Sequence, residues 1–237
     1  MTAQRPARRA LAMDALSQDT KSRILDAAES LFMEHGFEAT SLRQLTAAAG
    51  VNLAAVNYHF GTKEELFQAV LTRRLDPMNQ ERIDLLARYE EEAGERPLTC
   101  ERILSAMLIP ALRLSRDEQR GGKNFLRVLG RAYADPAPFI RNFLSAQYAE
   151  MIGRFKDAFQ KALPHLTKQE LTWRLHFVMG ALSYTLAGTD SLKLMMQVLT
   201  HEEDNDELLL QRLAPFLAAG LKAPLGDPKK LELVSGD

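Results

Sequence analysis

Between Ser41 and Phe67 the sequence SLRQLTAAAGVNLAAVNYHFGTKEELF leaves very few backbones open to the chain. Ser41 has Gln44 three residues on, a pairing in which hydroxyl and amide reciprocally satisfy free N–H groups at a helix start. Leu42, Leu45 and Ala49 then recur at three- and four-residue spacing on one face, and Gly50 supplies the permissive backbone that ends a helix and turns the chain. A second short helical pattern follows, with Val51 and Val56 placed to plug the angle between two helices. What it leaves outward is Asn52, Leu53, Ala54 and Asn57, a small, uncharged surface that can enter a major groove. The stretch predicts a helix-turn-helix that grips DNA.

A further capping signal, Thr62 with Glu65 three on, starts the next helix with Lys63 in its first turn. A cation is electrostatically misplaced there unless an anion comes close, because helix N-termini gather anions through free N–H groups. Lys63 and the preceding Tyr58-His59 therefore read as a phosphate clamp. Tyr58 and His59 can expose a polar tip while packing a ring, whereas Phe60 reads as a residue that only packs the small domain.

The pattern Thr40-Ser41-x-Arg43-x-Leu45, then Gly50-Val51, then Asn57-Tyr58-His59-Phe60-Gly61-Thr62-Lys63, resembles the TetR family of transcriptional repressors over about residues 20–75. The resemblance implies that Ser41, Tyr58, His59 and Lys63 touch phosphates and that Arg43, Asn52, Leu53, Ala54 and Asn57 face base edges, with Thr40 among the DNA-contacting residues. Leu53 and Ala54 carry no hydrogen-bonding side-chain atoms and can at best meet thymine methyls.

The formal net charge of −1 gives no basic field, and residues 1–75 hold nearly equal numbers of cations and anions. DNA binding must then rest on where a few cations sit, with dimerisation doubling each contact. A single cysteine, Cys100, excludes an internal disulfide and any multi-cysteine metal site, and fits a reducing cytoplasm. Leu11–Leu16 is broken by Asp14 and too short for a secretory segment, and no run approaches the roughly 18 apolar residues of a membrane helix, so no membrane partner is expected. Residues 1–19 read as a disordered N-terminal arm and 224–237 as a disordered tail.

With 46% hydrophobic residues in 237, the chain can bury a real core. Almost every segment beyond the DNA-binding portion has helical period, and the fold class is all-α. A three-helix DNA-binding domain is expected over 20–66 and a helical ligand-binding and dimerisation domain over 67–223. Helix one is expected from about Thr20 to Gly36. The fourth runs toward Tyr89, bent or divided at Pro77, with a loop over Glu90–Thr99. Further helices are expected at about 99–115, 122–134, 137–163, 168–187 and 206–221, punctuated by Gly121-Gly122, by Asp135-Pro136-Ala137-Pro138 and by Pro164. The acidic run Glu202–Glu207 reads as a solvated loop and cap, without the spacing of a calcium site.

The segment 168–187 is apolar on two sides, with Leu171, Leu175, Val178, Leu182 and Leu186 on one and Trp173, Phe177, Gly180 and Tyr184 on another. Leu209, Leu213, Phe216, Leu217 and Gly220 give the last helix a matching stripe. The resemblance implies that these two helices pair with their symmetry mates in a homodimer. Lining a large monomeric core is the alternative.

The same family logic implies an effector cavity in the helical domain. Met107, Phe125, Leu129, Phe143, Phe177 and Met179 are its candidate apolar lining, and Arg127 and His176 its candidate polar contacts, with Arg131, Arg174 and Tyr184 as further polar groups. Val51–Phe60, combined with Trp173-Arg174-x-His176-Phe177-x-x-Gly180-Ala181, is similar to the long-chain fatty-acid-responsive branch of these regulators, which governs lipid breakdown genes. The resemblance implies a dimeric repressor whose partners are a double-stranded DNA operator and a small apolar effector, with no cofactor. A regulator of efflux or another catabolic pathway, answering an aromatic or cationic compound, is the alternative. Gly-x-Ser-x-Gly, His-Glu-x-x-His and phosphate-binding glycine loops are missing from the sequence, so no enzyme is expected. A helical protein-binding adaptor gains nothing from Lys63 beside Tyr58-His59.

Overall fold

The computed structural model describes residues 4–117, 122–134, 137–186 and 206–225. Among the described residues the chain forms ten helices and no strand: α1 (Gln4–His35), α2 (Leu42–Ala49), α3 (Leu53–Phe60), α4 (Lys63–Ala93), α5 (Cys100–Arg116), α6 (Gly122–Ala134), α7 (Pro138–Gln147), α8 (Ala149–Ala162), α9 (Lys168–Leu186) and α10 (Asp206–Lys222). None is long and apolar enough to cross a membrane. Gly121, Asp135-Pro136, residues 202–205, the chain beyond 225 and the side chain of Arg131 lie outside the described residues.

Three helices depart from the sequence expectation. The segment read as a disordered arm is helical from Gln4, continuous with helix one. Thr20, taken as the helix start, instead donates back to the Leu16 carbonyl at 2.9 Å, as a hydroxyl inside a helix does. α4 runs unbroken through Pro77 to Ala93, where the Gly94 N–H closes it onto Glu90 and Glu91. The segment 137–163, expected as one helix, breaks at Tyr148 (φ −114°, ψ 17°) into α7 and α8. That break turns the ring inward, where the phenol donates to Asp76 Oδ1 on α4 at 2.9 Å.

Two apolar cores follow from the helical stripes. Ile24, Phe32, Leu45, Val56, Leu66 and Leu71 build the first, which continues without a gap into Leu114, Phe125, Leu129 and Leu144 of α5–α7. Leu86, Ile103, Phe159, Leu171, Val178 and Leu217 belong to the second, between α4, α5, α8, α9 and α10. A domain boundary at 66/67 thus falls inside α4 and inside one shared core. α4 and α5 both contribute to the two cores, and α4 also starts at the helix-turn-helix, which sets the relation between the two candidate sites.

Candidate functional site

The helix-turn-helix is held by short-range hydrogen bonds. The Gln44 N–H donates to Ser41 Oγ at 3.2 Å and the Ser41 N–H to Gln44 Oε1 at 2.8 Å, closing the box that starts α2. Gly50 ends α2 at φ +62°, a left-handed conformation that costs glycine nothing. Arg23 of α1 donates from Nη2 to the carbonyls of Ala49 at 2.6 Å and Gly50 at 3.0 Å, so a side chain from outside the motif caps its turn. Asn52 caps α3 by accepting the Ala55 N–H at 2.9 Å, and Thr62 and Glu65 repeat the box at the start of α4.

These caps present α3 with Asn52, Leu53, Ala54 and Asn57 exposed and Val56 and Phe60 buried. Ser41 and Arg43 are exposed beside them. Because Asn52 Oδ1 is spent on the cap, only its amide N–H groups remain for a base. Tyr58 is 82% exposed, with the half-buried His59 edge-on at 5.1 Å. Lys63 is half-buried and its ammonium sits 4.3 Å from the Phe37 ring centroid, so a π-face answers the misplaced cation in the absence of phosphate. Thr40, grouped by resemblance with the DNA-contacting residues, is 1% exposed and donates to the Gly36 and Leu31 carbonyls at 2.7 and 3.2 Å. It pins the α1–α2 turn and does not reach the surface.

A cavity of about 490 Å³ opens in the helical domain, within the roughly 300–1,000 Å³ typical of small-molecule sites. Met107 and Met179 line it, together with Leu144, Met151, Phe155, Leu175, Val178 and Leu182. The other six sequence candidates lie elsewhere. Phe125 and Leu129 are consumed by the first core, Phe143 packs on that core's edge, and Arg127 is half-buried away from the cavity. His176 and Phe177 point outward from α9 beside Trp173. Arg174 is buried, where it pairs with Glu170 at 2.8 Å and caps α10 through the Leu221 and Ala223 carbonyls. The odd-even error is one of helix phase: the α9 face carrying Leu175, Val178, Met179 and Leu182 turns inward, and Trp173 and Phe177 go with the opposite one.

Polar groups stand in the wall, all but Tyr148 outside the sequence candidates. Arg82 and Tyr133 stand near each other, and Tyr148, Ser145, Thr172, Arg141 and Lys156 complete the set. Burial pushes the Arg82 guanidinium below its ordinary range and the phenols of Tyr133 and Tyr148 above theirs, the last reinforced by the Asp76 carboxylate. A signal for Arg82 was present: Met78, Arg82, Leu85 and Leu86 share one helical face, so the arginine occupies an apolar stripe.

Shared contacts run between the cavity wall and the exposed face of α2 and α3. α7, which contributes Leu144 to the wall, also places Phe139 4.9 Å from Phe37 and 6.3 Å from Phe67, and Phe37 is the ring beneath Lys63. α4 starts at Lys63 and carries Arg82 five turns on.

Residues 24–70 match the family model described as bacterial regulatory proteins of the tetR family, and residues 105–220 match the tetracyclin repressor-like C-terminal domain. The HTH-type transcriptional regulator TtgR of Pseudomonas putida is 35% identical over 88 residues, 37% of this chain and 40% of that protein. The chain therefore spans about 40% of the length of this curated relative. Among solved structures, the fatty acid degradation regulator FadR of Bacillus halodurans is similar at TM-score 0.55 and 14% identity over 86% of this chain and 96% of that one. FadR of Bacillus subtilis, solved with stearoyl-CoA, is similar at TM-score 0.55 and 14% identity over 84% and 98%. Likeness at this identity extends to the fold.

Proposed function

Because the chain belongs to the TetR family of bacterial transcriptional regulators, we propose that it is a repressor that binds a palindromic operator as a homodimer and leaves it when an apolar effector fills the helical-domain cavity. The effector is a long-chain fatty acid or its coenzyme A thioester, and the regulated genes serve lipid metabolism. The carrying observation is an apolar cavity whose wall shares α4 and α7 with the DNA-binding unit. Leu144, Met151, Phe155 and Val178 suit an acyl chain, in which each buried methylene contributes about 0.8 kcal/mol.

The mechanism runs through the shared elements. Ser41, Tyr58, His59 and Lys63 hold phosphates while Arg43, Asn52, Leu53, Ala54 and Asn57 meet base edges from the exposed side of α2 and α3. A ligand wedged between α4, α7 and α9 displaces the Phe139–Phe37 contact and the start of α4 together. The two recognition helices of the dimer then no longer match successive major grooves. Release requires that the effector prefer the mis-spaced dimer, with about 1.4 kcal/mol of preference giving a tenfold shift.

A gel shift against the DNA upstream of the chain's own gene, followed by titration of saturated acids and thioesters of increasing length, tests the reading. Retarded DNA that is released with steep dependence on chain length is expected. A complex indifferent to every acyl chain but dissociated by an aromatic or cationic compound replaces the effector assignment while keeping the repressor.

A further inference from the structure

Among the described residues no carboxylate pairs with Arg82, a cation set in the wall of an apolar cavity. Its Nε donates to the Met107 carbonyl at 2.9 Å and its Nη1 to Asn79 Oδ1 at 2.9 Å, and the Tyr133 phenol stands near it in the same wall. All three are neutral. Other arginines along α4 and α5 are paired with carboxylates: Arg73 with Asp26, Arg74 with Glu29, Arg113 with Glu81. Asp76, an exposed carboxylate on α4 outside the lining, accepts from the Tyr148 phenol at 2.9 Å. A half-buried guanidinium whose described partners are neutral is an unfinished ion pair, because its partial desolvation is not offset by an opposite charge.

The position of this pair within the cavity decides what finishes it. Arg82, Met107, Leu108, Ala111, Ala132 and Tyr133 belong to the α4–α6 wall, where Leu108, Ala111 and Ala132 are buried and Arg82, Met107 and Tyr133 half-buried. The exposed lining residues Arg141, Ser145, Ile152, Lys156 and Thr172 all come from α7, α8 and α9, so the mouth lies on that side and the arginine opposite it. Arg82 has five N–H donors, of which the Met107 and Asn79 bonds use two, and a tyrosine hydroxyl both accepts and donates. The unused Arg82 N–H groups and the Tyr133 hydroxyl, both on the less exposed wall, are donors that the two oxygens of a carboxylate can accept. They do not match a thioester, whose bulky charged headgroup must stay outside the mouth.

Resting on the apolar-effector reading above, we infer that Arg82 and Tyr133 are the carboxylate seat of the cavity, and that its preferred ligand is an unesterified long-chain acid bound head inward with its chain along Leu144, Phe155 and Val178. The low-dielectric surroundings that depress the arginine's own proton affinity also strengthen its attraction for a carboxylate. Arg141 and Lys156 at the mouth are exposed to water and contribute less to any anion they meet.

The test is displacement of the neutral fluorophore N-phenyl-1-naphthylamine from the full-length protein by palmitate, 1-hexadecanol and palmitoyl-CoA, three ligands that share a chain and differ in head. Palmitate is expected to displace the probe at about tenfold lower concentration than either of the others. Arg82→Met should erase its advantage over the alcohol while leaving the alcohol's own affinity within about twofold, and Arg82→Lys should keep part of it. Tyr133→Phe, which removes only the hydroxyl, should cut the advantage several-fold and serves if Arg82→Met fails to fold. Equal displacement by palmitate and hexadecanol, tighter binding of palmitoyl-CoA, or an advantage that survives both Arg82→Met and Tyr133→Phe overturns the carboxylate seat but leaves an apolar effector standing. Failure of all three ligands to displace the probe overturns the apolar effector itself, and the seat with it.

Discussion

Arg74 forks onto Glu29, its Nε 2.7 Å from Oε1 and its Nη2 3.0 Å from Oε2, and the pair ties α4 to α1. The two side chains are 13% and 5% exposed, and Arg73 adds a longer contact to Glu29 at 3.5 Å. Removing one partner of a buried pair leaves an uncompensated charge, which typically costs about 3–5 kcal/mol. Arg74→Met is expected at the low end of that range, since Arg73 still faces the carboxylate, and urea unfolding measures it. A loss below about 1 kcal/mol means that Glu29 reaches water when its fork is removed. The same variant should blunt effector-driven release, because α1 would no longer follow α4.

Tyr148 makes stability fall at high pH. Its phenol is held well above the ordinary tyrosine range by burial and by Asp76, so the folded chain keeps a proton that the unfolded chain surrenders near pH 10. The stabilisation is fully present below about pH 10 and is lost as pH rises beyond it, by up to about 1.4 kcal/mol per pH unit for each such group. Tyr133, raised by burial, acts in the same direction. Unfolding curves from pH 8 to 11 should therefore steepen for the wild type, and Tyr148→Phe should be flatter by one group's worth. Parallel pH profiles for the two proteins contradict this origin of the alkaline loss.

On DNA, two kinds of substitution should separate. Arg43→Ala and Asn57→Ala remove exposed groups proposed to meet base edges and are expected to relax discrimination at particular base pairs by about 1–3 kcal/mol for a good bidentate contact. Lys63→Ala should weaken all sequences alike and reduce the magnitude of the log–log salt slope by about one per protomer. Affinity measured against salt on operator and scrambled DNA distinguishes them. Should Lys63→Ala leave the slope unchanged, the ammonium stays on the Phe37 ring in the complex and the phosphate assignment fails.

What the sequence made legible was local. Ser41 with Gln44, Gly50, and Thr62 with Glu65 write hydrogen bonds that close within three or four residues, and each appears in the structure where the pattern puts it. The break at Tyr148 was not legible, because its cause, Asp76, lies 72 residues away on another helix. Thr40 looked like a DNA contact because its neighbours do, yet its hydroxyl is satisfied by the preceding turn. Cavity residues were hardest to find, since a methionine or phenylalanine at helical spacing looks the same whether the opposing element is in contact with it or set back. Phe177 and Met179 are two residues apart and face opposite ways.

The outward face of α9 and α10 is the expected dimer contact, and the structure shows how to test it without disturbing the protomer. Trp173 stacks on Phe177 with ring centroids 6.1 Å apart, and Phe177 and Phe216 are 64% and 70% exposed. Leu213, grouped by sequence with this face, is half-buried against the second core, so a charge there would test folding rather than association. Gly180 is the better site: it is exposed and a Cβ built on it meets nothing within 4 Å, so Gly180→Phe starts from open space on this face and is expected to obstruct a partner. In a two-fold interface each substitution acts twice. Losing about 1.5–3 kcal/mol of aromatic burial at Phe177→Glu would therefore weaken association by roughly 3–6 kcal/mol, two to four orders of magnitude in the dimer dissociation constant. Sedimentation should find Phe177→Glu, Phe216→Glu and Gly180→Phe monomeric with unchanged helical circular dichroism, and each should lose operator affinity with every DNA-contacting residue intact. Folded variants that remain dimeric at micromolar concentration would move the interface to another face of the helical domain.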